Sequence, residues 1–325
     1  MDPGNMSLNA NEANYNDTDS SVILSLMRSL TGSVLSKLIL ILYPVISVWI
    51  IVVNVFTLLV YAKFKQLQTK RNVMIISLSA VDLFAGLTQI LPKAIGRLLG
   101  ADNSFGLCMA ANVLHIAPSW ASILHLVTIA IERHIAITKP LLYHVIVTPS
   151  RLAFAVAGNV TVSLFISLMA LAWPRERFSR LCMSILWYPK AYSYGFLLVT
   201  MSTAIAVILL LYVHIYTIAR RQERAIASET ATRGYLGQSS SGVHKESHAT
   251  QVFMFICGIA LACFIPMITA MALLTAMPNQ PVIIYYYYLS AFCQHCNSGM
   301  NFLVYTFRNN EFRTKLKLLF HCSER

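Results

Sequence analysis

Three charged residues interrupt long apolar stretches of the chain, and each needs a chemical explanation. Glu132 and Arg133 are adjacent near the end of one apolar stretch, and Asp82 lies in the middle of another. A charge at membrane depth normally faces a protein interior or water and has a partner, because hydrocarbon does not stabilise it. The acid and the arginine can pair with each other, whereas Asp82 needs polar neighbours, a cation or a proton.

The composition explains why these charges stand out. The chain has 325 residues, of which 57% are hydrophobic and 12% charged, and its mean hydropathy is +0.62. A soluble domain carries about a quarter charged residues, so an ordinary soluble globular protein is excluded. The net charge of +12 comes from Lys and Arg at the ends of apolar segments. That position indicates the cytoplasmic lipid surface as their partner and not nucleic acid.

Seven stretches have the length of about 20 mostly apolar residues that a membrane-spanning helix needs. They cover residues 38–62, 72–92, 107–131, 152–174, 191–219, 249–277 and 282–307. None shows the alternation of a transmembrane barrel strand. The sequence therefore predicts an all-α membrane protein, a seven-transmembrane helix bundle with a short amphipathic helix at 309–320.

The distribution of basic residues predicts the orientation. Lys and Arg are roughly twice as frequent in one set of alternate connections as in the other, which places the N-terminus outside and the C-terminus in the cytoplasm. Glycosylation triplets at Asn5 and Asn16 agree with an extracellular start. We therefore divide the chain into an extracellular glycosylated segment, 1–37, a transmembrane domain, 38–307, and a cytoplasmic amphipathic helix and tail, 308–325.

The cysteines differ in their predicted surroundings. Cys108 and Cys182 fall on the extracellular side, where disulfides form, so we expect them to be bonded to each other. Cys322 follows the amphipathic segment, where either palmitoylation or a free thiol fits.

Several short motifs occur in the order and spacing of one known family. They are Asn54, Leu-Ser-Ala-Val-Asp at 78–82, Glu-Arg-His at 132–134, Tyr212, Cys-Phe-Ile-Pro at 263–266 and Asn-Phe-Leu-Val-Tyr at 301–305. Together with seven spans, they resemble the rhodopsin-like (class A) G-protein-coupled receptors over about residues 38–320. The chain departs from the family pattern at Phe302, where proline is usual, and at Phe264, where tryptophan is usual. With no proline at 302, span seven should keep a backbone hydrogen bond and kink less.

The resemblance implies a switch at the cytoplasmic side of the bundle. Arg133 would pair with Glu132 in the resting receptor and also with Glu246 at the start of span six, until activation frees it for a heterotrimeric G protein. Glu246 lies at the edge of a polar loop, 222–247, that we expect to be flexible. The alternative is therefore a solvated glutamate that does not contact Arg133. The other implied switch residues are Tyr212, Asn301 and Tyr305.

The resemblance also implies a polar site around Asp82. Ser122, Asn297, Ser298 and Asn301 occupy the family positions that surround this carboxylate. Their oxygens suit a small hard cation, so we expect an allosteric sodium ion here and no other cofactor. The alternative is a protonated aspartic acid in a polar network without an ion.

The family's ligand cavity lies between the outer halves of spans three, five, six and seven. The implied ligand contacts are His115, Ser119, Trp120, Met201, Phe264, Met267, Met271, Phe292 and His295. His115 stands where amine receptors carry an aspartate, which argues against a monoamine, and the absence of lysine from span seven excludes a retinal Schiff base. The sequence around His295 is most similar to adenosine receptors within the adenosine, melanocortin, cannabinoid and lysolipid cluster.

The predicted function is therefore a plasma-membrane receptor that binds an extracellular ligand and activates heterotrimeric G proteins. The ligand is expected to be adenosine-like, with a lipid or peptide as the alternative; membrane lipids and arrestin are the other expected partners. An intramembrane enzyme would need paired acids, a Ser-His pair or a metal motif within the spans, and a transporter would show internal repeats. The sequence shows neither pattern.

Overall fold

The computed structural model describes residues 34–99, 104–172, 191–233, 240–277 and 280–321, and these ranges contain nine α-helices and no β-strand. The helices are α1 (Val34–Lys63), α2 (Lys70–Leu99), α3 (Phe105–Thr138), α4 (Pro140–Ile146), α5 (Pro149–Leu168), α6 (Val199–Arg233), α7 (Ser240–Ala276), α8 (Pro281–Arg308) and α9 (Asn310–His321). Spans one to seven correspond to α1, α2, α3, α5, α6, α7 and α8. The predicted all-α bundle is confirmed, and α9 forms the predicted amphipathic helix after it.

Six of the long helices in these ranges are apolar enough, as well as long enough, to cross a membrane. The other long helix, α8, has 28 residues. Its four consecutive tyrosines at 285–288 and a polar stretch around Asn297 make it less apolar. A helix with this composition suits a position inside a bundle, where polar groups find partners.

Helix α3 lies at the centre of the bundle. It packs against α2, α5, α6 and α7, while α8 packs against α7, α2 and α1 and so closes the ring. Leu78, Ile123 and Phe264 are among the side chains buried between these helices. Large apolar side chains such as Phe154 and Leu210 point outward instead, as expected of helices whose solvent is lipid.

Glycines permit the close approach of α1 to its two neighbours. A Cβ atom on Gly86 of α2 would lie 2.9 Å from Cγ1 of Ile51, and one on Gly299 of α8 would lie 2.6 Å from Nε1 of Trp49. With α1 this close, the Asn54 side chain donates a hydrogen bond of 2.9 Å to the backbone carbonyl of Ser298. Helix α1 thus supports the part of α8 that carries the polar residues.

Helix α8 runs without a break through Phe302. A residue other than proline keeps its backbone N–H for the helix, which is the consequence expected from the sequence. The Phe302 ring packs against Trp49 of α1 and Phe312 of α9, with ring centroids 6.5 and 6.1 Å apart. The phenylalanine therefore ties α8 to its neighbours.

The prediction of a flexible loop at 222–247 is wrong for most of that segment. Helix α6 continues to Arg233 and α7 begins at Ser240. The stretch after Gln222 is rich in Arg, Glu and Ala, which have high helix propensity and extend a helix beyond the membrane. The opening of span five also differs from a regular α-helix, because Ala191–Leu198 is a π-helix.

Candidate functional site

Three formally charged side chains are buried among the residues that the structure describes: Asp82, Glu132 and Arg133. They are the same three that stood out in the sequence. Burying a charge costs several kcal/mol unless a partner compensates it. The neighbours of each charged side chain therefore show whether its charge is compensated. Glu132 and Arg133 lie near the C-terminal end of α3, and Asp82 lies within α2.

Both carboxylate oxygens of Glu132 have hydrogen-bond donors. Nε of Arg133 donates to Oε2 over 3.0 Å, and Nη2 donates to Oε1 over 2.5 Å. The hydroxyl of Tyr143 donates to Oε1 over 2.5 Å. Such a two-pronged ion pair is both strong and directional, so the predicted resting pairing of Arg133 with Glu132 is present.

Tyr143 reaches this pair because the chain turns directly after α3. Pro140 begins the short helix α4, as a proline can at a helix start. The turn brings Tyr143 back beside Glu132, eleven positions earlier in the chain. Sequence reasoning missed this residue; the one available signal was a tyrosine on a short helix that follows a charged helix end.

Two further contacts join helices at the predicted cytoplasmic end. Nε2 of His134 lies 2.7 Å from Nδ1 of His214, which links α3 to α6. The hydroxyl of Tyr212 donates to the backbone carbonyl of Met254 over 2.8 Å, which links α6 to α7. Tyr212 was predicted as a switch residue, whereas the histidine pair was not.

The remaining switch residues have different surroundings. Glu246 lies on α7, but its side chain is outside the described part of the structure, so its contact with Arg133 stays a prediction. Tyr305 is fully buried, and its ring lies 5.9 Å from that of Phe312. Its hydroxyl has no hydrogen-bond partner among the described residues.

Asp82 is completely buried, and its carboxylate is only half satisfied. Nδ2 of Asn301 donates to Oδ2 of Asp82 over 2.8 Å. The hydroxyls of Ser122 and Ser298 lie beside the same carboxylate. However, neither Oδ1 of Asp82 nor the Ser122 hydroxyl forms a hydrogen bond of acceptable geometry with any described residue.

These unsatisfied atoms fit the cation predicted at this place. The five residues predicted around it, Asp82, Ser122, Asn297, Ser298 and Asn301, are all buried. A carboxylate, two hydroxyls and two amides supply oxygen atoms, which hard cations prefer. The described residues include no group of three or more His, Cys, Asp or Glu side chains that could hold a transition metal.

A small cavity of about 10 Å³, room for about one water molecule, borders this group. Its walls include four of the predicted ligand contacts: His115, Ser119, Phe264 and His295. The other lining residues are Ala85, Ser122, Gln294, Asn297 and Ser298. The cavity is therefore shared between the predicted ligand residues and the predicted cation residues.

Hydrogen bonds hold the two imidazoles of this cavity. Nδ1 of His115 is hydrogen-bonded to Nε2 of Gln89, on α2. Nε2 of His295 lies 2.9 Å from the Ser47 hydroxyl on α1, and its ring stacks on Tyr43 at a centroid distance of 5.8 Å. Neither Gln89 nor Ser47 was expected from the sequence, because each lies on a helix that the predicted ligand set did not include.

The other predicted ligand contacts are not among the lining residues of this cavity. Trp120 and Met201 belong to the buried apolar core. Met271 is buried, Met267 is half-buried, and Phe292 packs edge-on against Tyr43. Their contact with a ligand stays a prediction.

The predicted modification sites are only partly visible. Cys108 is disulfide-bonded. Its expected partner Cys182 lies outside the described residues, as do Cys322 and the glycosylation sites Asn5 and Asn16. The pairing, the palmitoylation and the glycosylation therefore stay predictions.

Comparison with known proteins gives a consistent result. Residues 53–305 match the sequence pattern of one protein family, the seven-transmembrane receptors of the rhodopsin family. The histamine H2 receptor of Rattus norvegicus is 28% identical, over 83% of this chain and 75% of that receptor. The trace amine-associated receptor 9 of Mus musculus is 30% identical, over 82% of this chain and 79% of its own length. These relatives do not support the adenosine likeness.

Proposed function

Because the chain belongs to the rhodopsin family of seven-transmembrane receptors, we propose that it binds a small extracellular ligand and thereby activates a heterotrimeric G protein. It is a multi-pass membrane protein of the plasma membrane and a receptor, not an enzyme. We place its N-terminus outside and its C-terminus in the cytoplasm, since Lys and Arg concentrate on one side. The faces of α3, α6 and α7 at the cytoplasmic end would then meet the G protein, and arrestin would compete for them.

The observation that carries this proposal is the buried ion pair at the cytoplasmic end of α3. Arg133 and Glu132 bond to each other through two hydrogen bonds, and Tyr143 adds a third to the same carboxylate. An arginine held this way is stable while the bundle is closed. When α6 and α7 move, the guanidinium becomes available for a G protein.

The polar group beside the cavity can couple ligand and switch. Asn301 joins α8 to Asp82 of α2, and the same group borders the cavity through Ser122, Asn297 and Ser298. A sodium ion held by these residues would supply a positive charge beside Asp82 in the resting receptor. Because its ligands come from α2, α3 and α8, the bound ion would hold these three helices together until a ligand changes the neighbouring cavity.

The ligand we propose is a small amine, against the expectation drawn from His115, which stands where amine receptors carry an aspartate. The relatives named above are receptors for histamine and trace amines. The cavity that His115, Ser119, Phe264 and His295 line has a volume of only about 10 Å³, so a compact ligand would displace fewer side chains than a peptide or a lipid. Adenosine remains the competing ligand, because the sequence around His295 resembles adenosine receptors.

The test is G-protein dissociation in cells that express the full chain, with a panel of G-protein types. We expect histamine or 2-phenylethylamine to dissociate at least one type, and Arg133→Ala to abolish this response. Arg313→Ala is the matched control, because Arg313 is an exposed arginine on α9 whose side chain bonds only to Asn310 among the described residues. We expect it to respond like the wild type.

Two results would contradict the proposal. If Arg133→Ala reached the surface and signalled like the wild type, the arginine would not be the switch. If adenosine, but neither amine, activated the wild type, the receptor class would stand and the proposed ligand would be wrong.

A further inference from the structure

The ring of Phe312 lies at the centre of an aromatic cluster that joins α1, α8 and α9. It is fully buried, and its centroid lies 5.8 Å from that of Tyr61, 6.1 Å from that of Phe302 and 5.9 Å from that of Tyr305. Phe302 extends the cluster to Trp49 of α1, at 6.5 Å. Ring pairs at about 4.5–7 Å attract each other beyond the effect of burial alone. We call these five residues the aromatic clamp.

The backbone fixes the clamp at both ends. Where α8 turns into α9, the backbone N–H of Asn309 donates to the carbonyl of Tyr305 over 2.9 Å. Oδ1 of Asn309 accepts a hydrogen bond of 3.0 Å from the backbone N–H of Phe312, as the residue before a helix often does. At the other end, Gly299 lets Trp49 lie directly against α8. The rings are therefore held in place by the course of the chain.

The hydroxyl of Tyr305 opposes this arrangement. Tyr305 is fully buried, and its hydroxyl has no hydrogen-bond partner among the described residues. A buried hydroxyl without a partner is unfavourable, so Tyr305 would gain a hydrogen bond by moving to a polar place at the cytoplasmic end. Ring packing favours the present position and the hydroxyl favours departure. Because the two contributions are of similar size, a small change in either can move the side chain.

We propose that Phe302 and Phe312 are positioning residues for Tyr305, whose rings hold it in the closed bundle and so limit signalling without a ligand. This inference rests on the proposed function, because Tyr305 is one of the switch residues expected there. Phe302 makes the clamp a feature of this chain, since the proline that is usual at its position has no aromatic ring. The same residue that leaves α8 unbroken thus restrains Tyr305 through α1 and α9.

The experiment compares four full-length chains: the wild type, Phe302→Ala, Tyr305→Phe and the double variant. Phe302→Ala deletes two ring contacts, so G-protein dissociation without ligand should rise about fivefold. Tyr305→Phe keeps the ring but removes the hydroxyl that favours departure, so it should not raise dissociation. In the double variant, Phe302→Ala should have no further effect. Such non-additivity is expected only if Phe302 acts through Tyr305.

Amide hydrogen exchange in residues 303–309 of the purified receptors gives the same comparison without a G protein. Phe302→Ala should exchange about fivefold faster there, and the double variant should exchange at the wild-type rate. A merely structural loss of packing would speed exchange equally with tyrosine or phenylalanine at 305. Phe307→Ala is the matched control, because that ring lies on the same helix but is 71% exposed. We expect it to behave like the wild type.

If Phe302→Ala does not reach the membrane, Phe302→Leu should show the same pattern with a smaller amplitude, since leucine keeps apolar volume without a ring. Three outcomes would overturn the inference: unchanged exchange and signalling in the Phe302 variants, equal increases with either residue at 305, or an equal increase in Phe307→Ala. The expected exchange pattern in chains that dissociate no G protein would instead keep the clamp and contradict the proposed function.

Discussion

The bundle buries two carboxylates that differ in how fully their charge and their oxygen atoms are compensated. Glu132 receives two hydrogen bonds from Arg133 and one from Tyr143, so its charge is neutralised within the chain. Asp82 receives one from Asn301, and its other oxygen has no partner among the described residues. The charge of the first acid is compensated within the chain, whereas the second leaves one oxygen unpartnered among the described residues, which is why we propose a cation beside it.

This difference matches the positions of the two acids. Glu132 lies where the receptor would meet a G protein, so a self-contained ion pair can hold that end closed without a ligand. Asp82 adjoins Ser122 and Ser298, which line the cavity, so its unsatisfied oxygen could respond to a cation there. The comparison predicts how stability and signalling respond when each acid is altered.

The largest effect should come from removing the charge of each acid by an isosteric change. Glu132→Gln removes the carboxylate that neutralises Arg133, which should cost about 3–5 kcal/mol of stability and lower the melting temperature by about 10 °C. Asp82→Asn removes a carboxylate that lacks a full set of partners, so in sodium-free buffer it should leave the melting temperature unchanged or raise it. Equal losses in the two variants would remove the distinction between the acids.

A smaller effect is expected at Tyr143. Tyr143→Phe deletes one hydrogen bond to the Glu132 carboxylate, which should cost about 1.5–3 kcal/mol because the acceptor is charged. The looser ion pair should also raise G-protein dissociation in the absence of ligand. Tyr216→Phe is the control, because that tyrosine is exposed on α6 and contacts Arg220, not Glu132. Unchanged basal signalling in Tyr143→Phe would show that the tyrosine is not part of the switch.

The histidine pair at the same end should matter less. His214→Ala breaks a hydrogen bond with His134 that is exposed, so the expected loss is about 0.5–1 kcal/mol. The melting-temperature shift caused by a cation should not change, because His214 is remote from Asp82 and distant sites act independently. A reduced cation shift would show that the two ends of the bundle are coupled through α3.

The smallest change in stability is expected at Ser122. Its hydroxyl has no hydrogen-bond partner among the described residues, so Ser122→Ala should alter stability by less than about 0.5 kcal/mol. Its effect should appear only when sodium is added, as a several-fold weaker response. A large loss of stability without any cation would mean that the hydroxyl already has a structural role.

The sequence predicted the features that depend on composition and adjacency. Long charge-poor runs identified the seven helices, and neighbouring Glu132 and Arg133 indicated their own pairing. Helix ends were less predictable: the polar stretch after Gln222 has high helix propensity, and α6 continues through it to Arg233.

Contacts between distant segments could not be derived from the sequence. Tyr143 reaches Glu132 only because α4 turns back after Pro140, and Ser47 reaches His295 only because α1 packs closely against α8. Likewise, five of the nine predicted ligand residues are not among the lining residues of the cavity, since the sequence indicates the outer half of a helix more reliably than the face that borders a cavity. The unsatisfied oxygen of Asp82 also required coordinates, because a sequence does not show which polar neighbours fail to reach it.

The most direct test of the contrast between the two acids is a cation titration on three full-length chains, namely the wild type, Glu132→Gln and Asp82→Asn. The melting temperature of each is measured as sodium chloride is added. We predict that the wild type and Glu132→Gln gain the same stabilisation from a cation, although Glu132→Gln starts lower, and that Asp82→Asn gains none. Stabilisation that survives in Asp82→Asn, or disappears in Glu132→Gln, would contradict the assignment of Asp82 as the cation site.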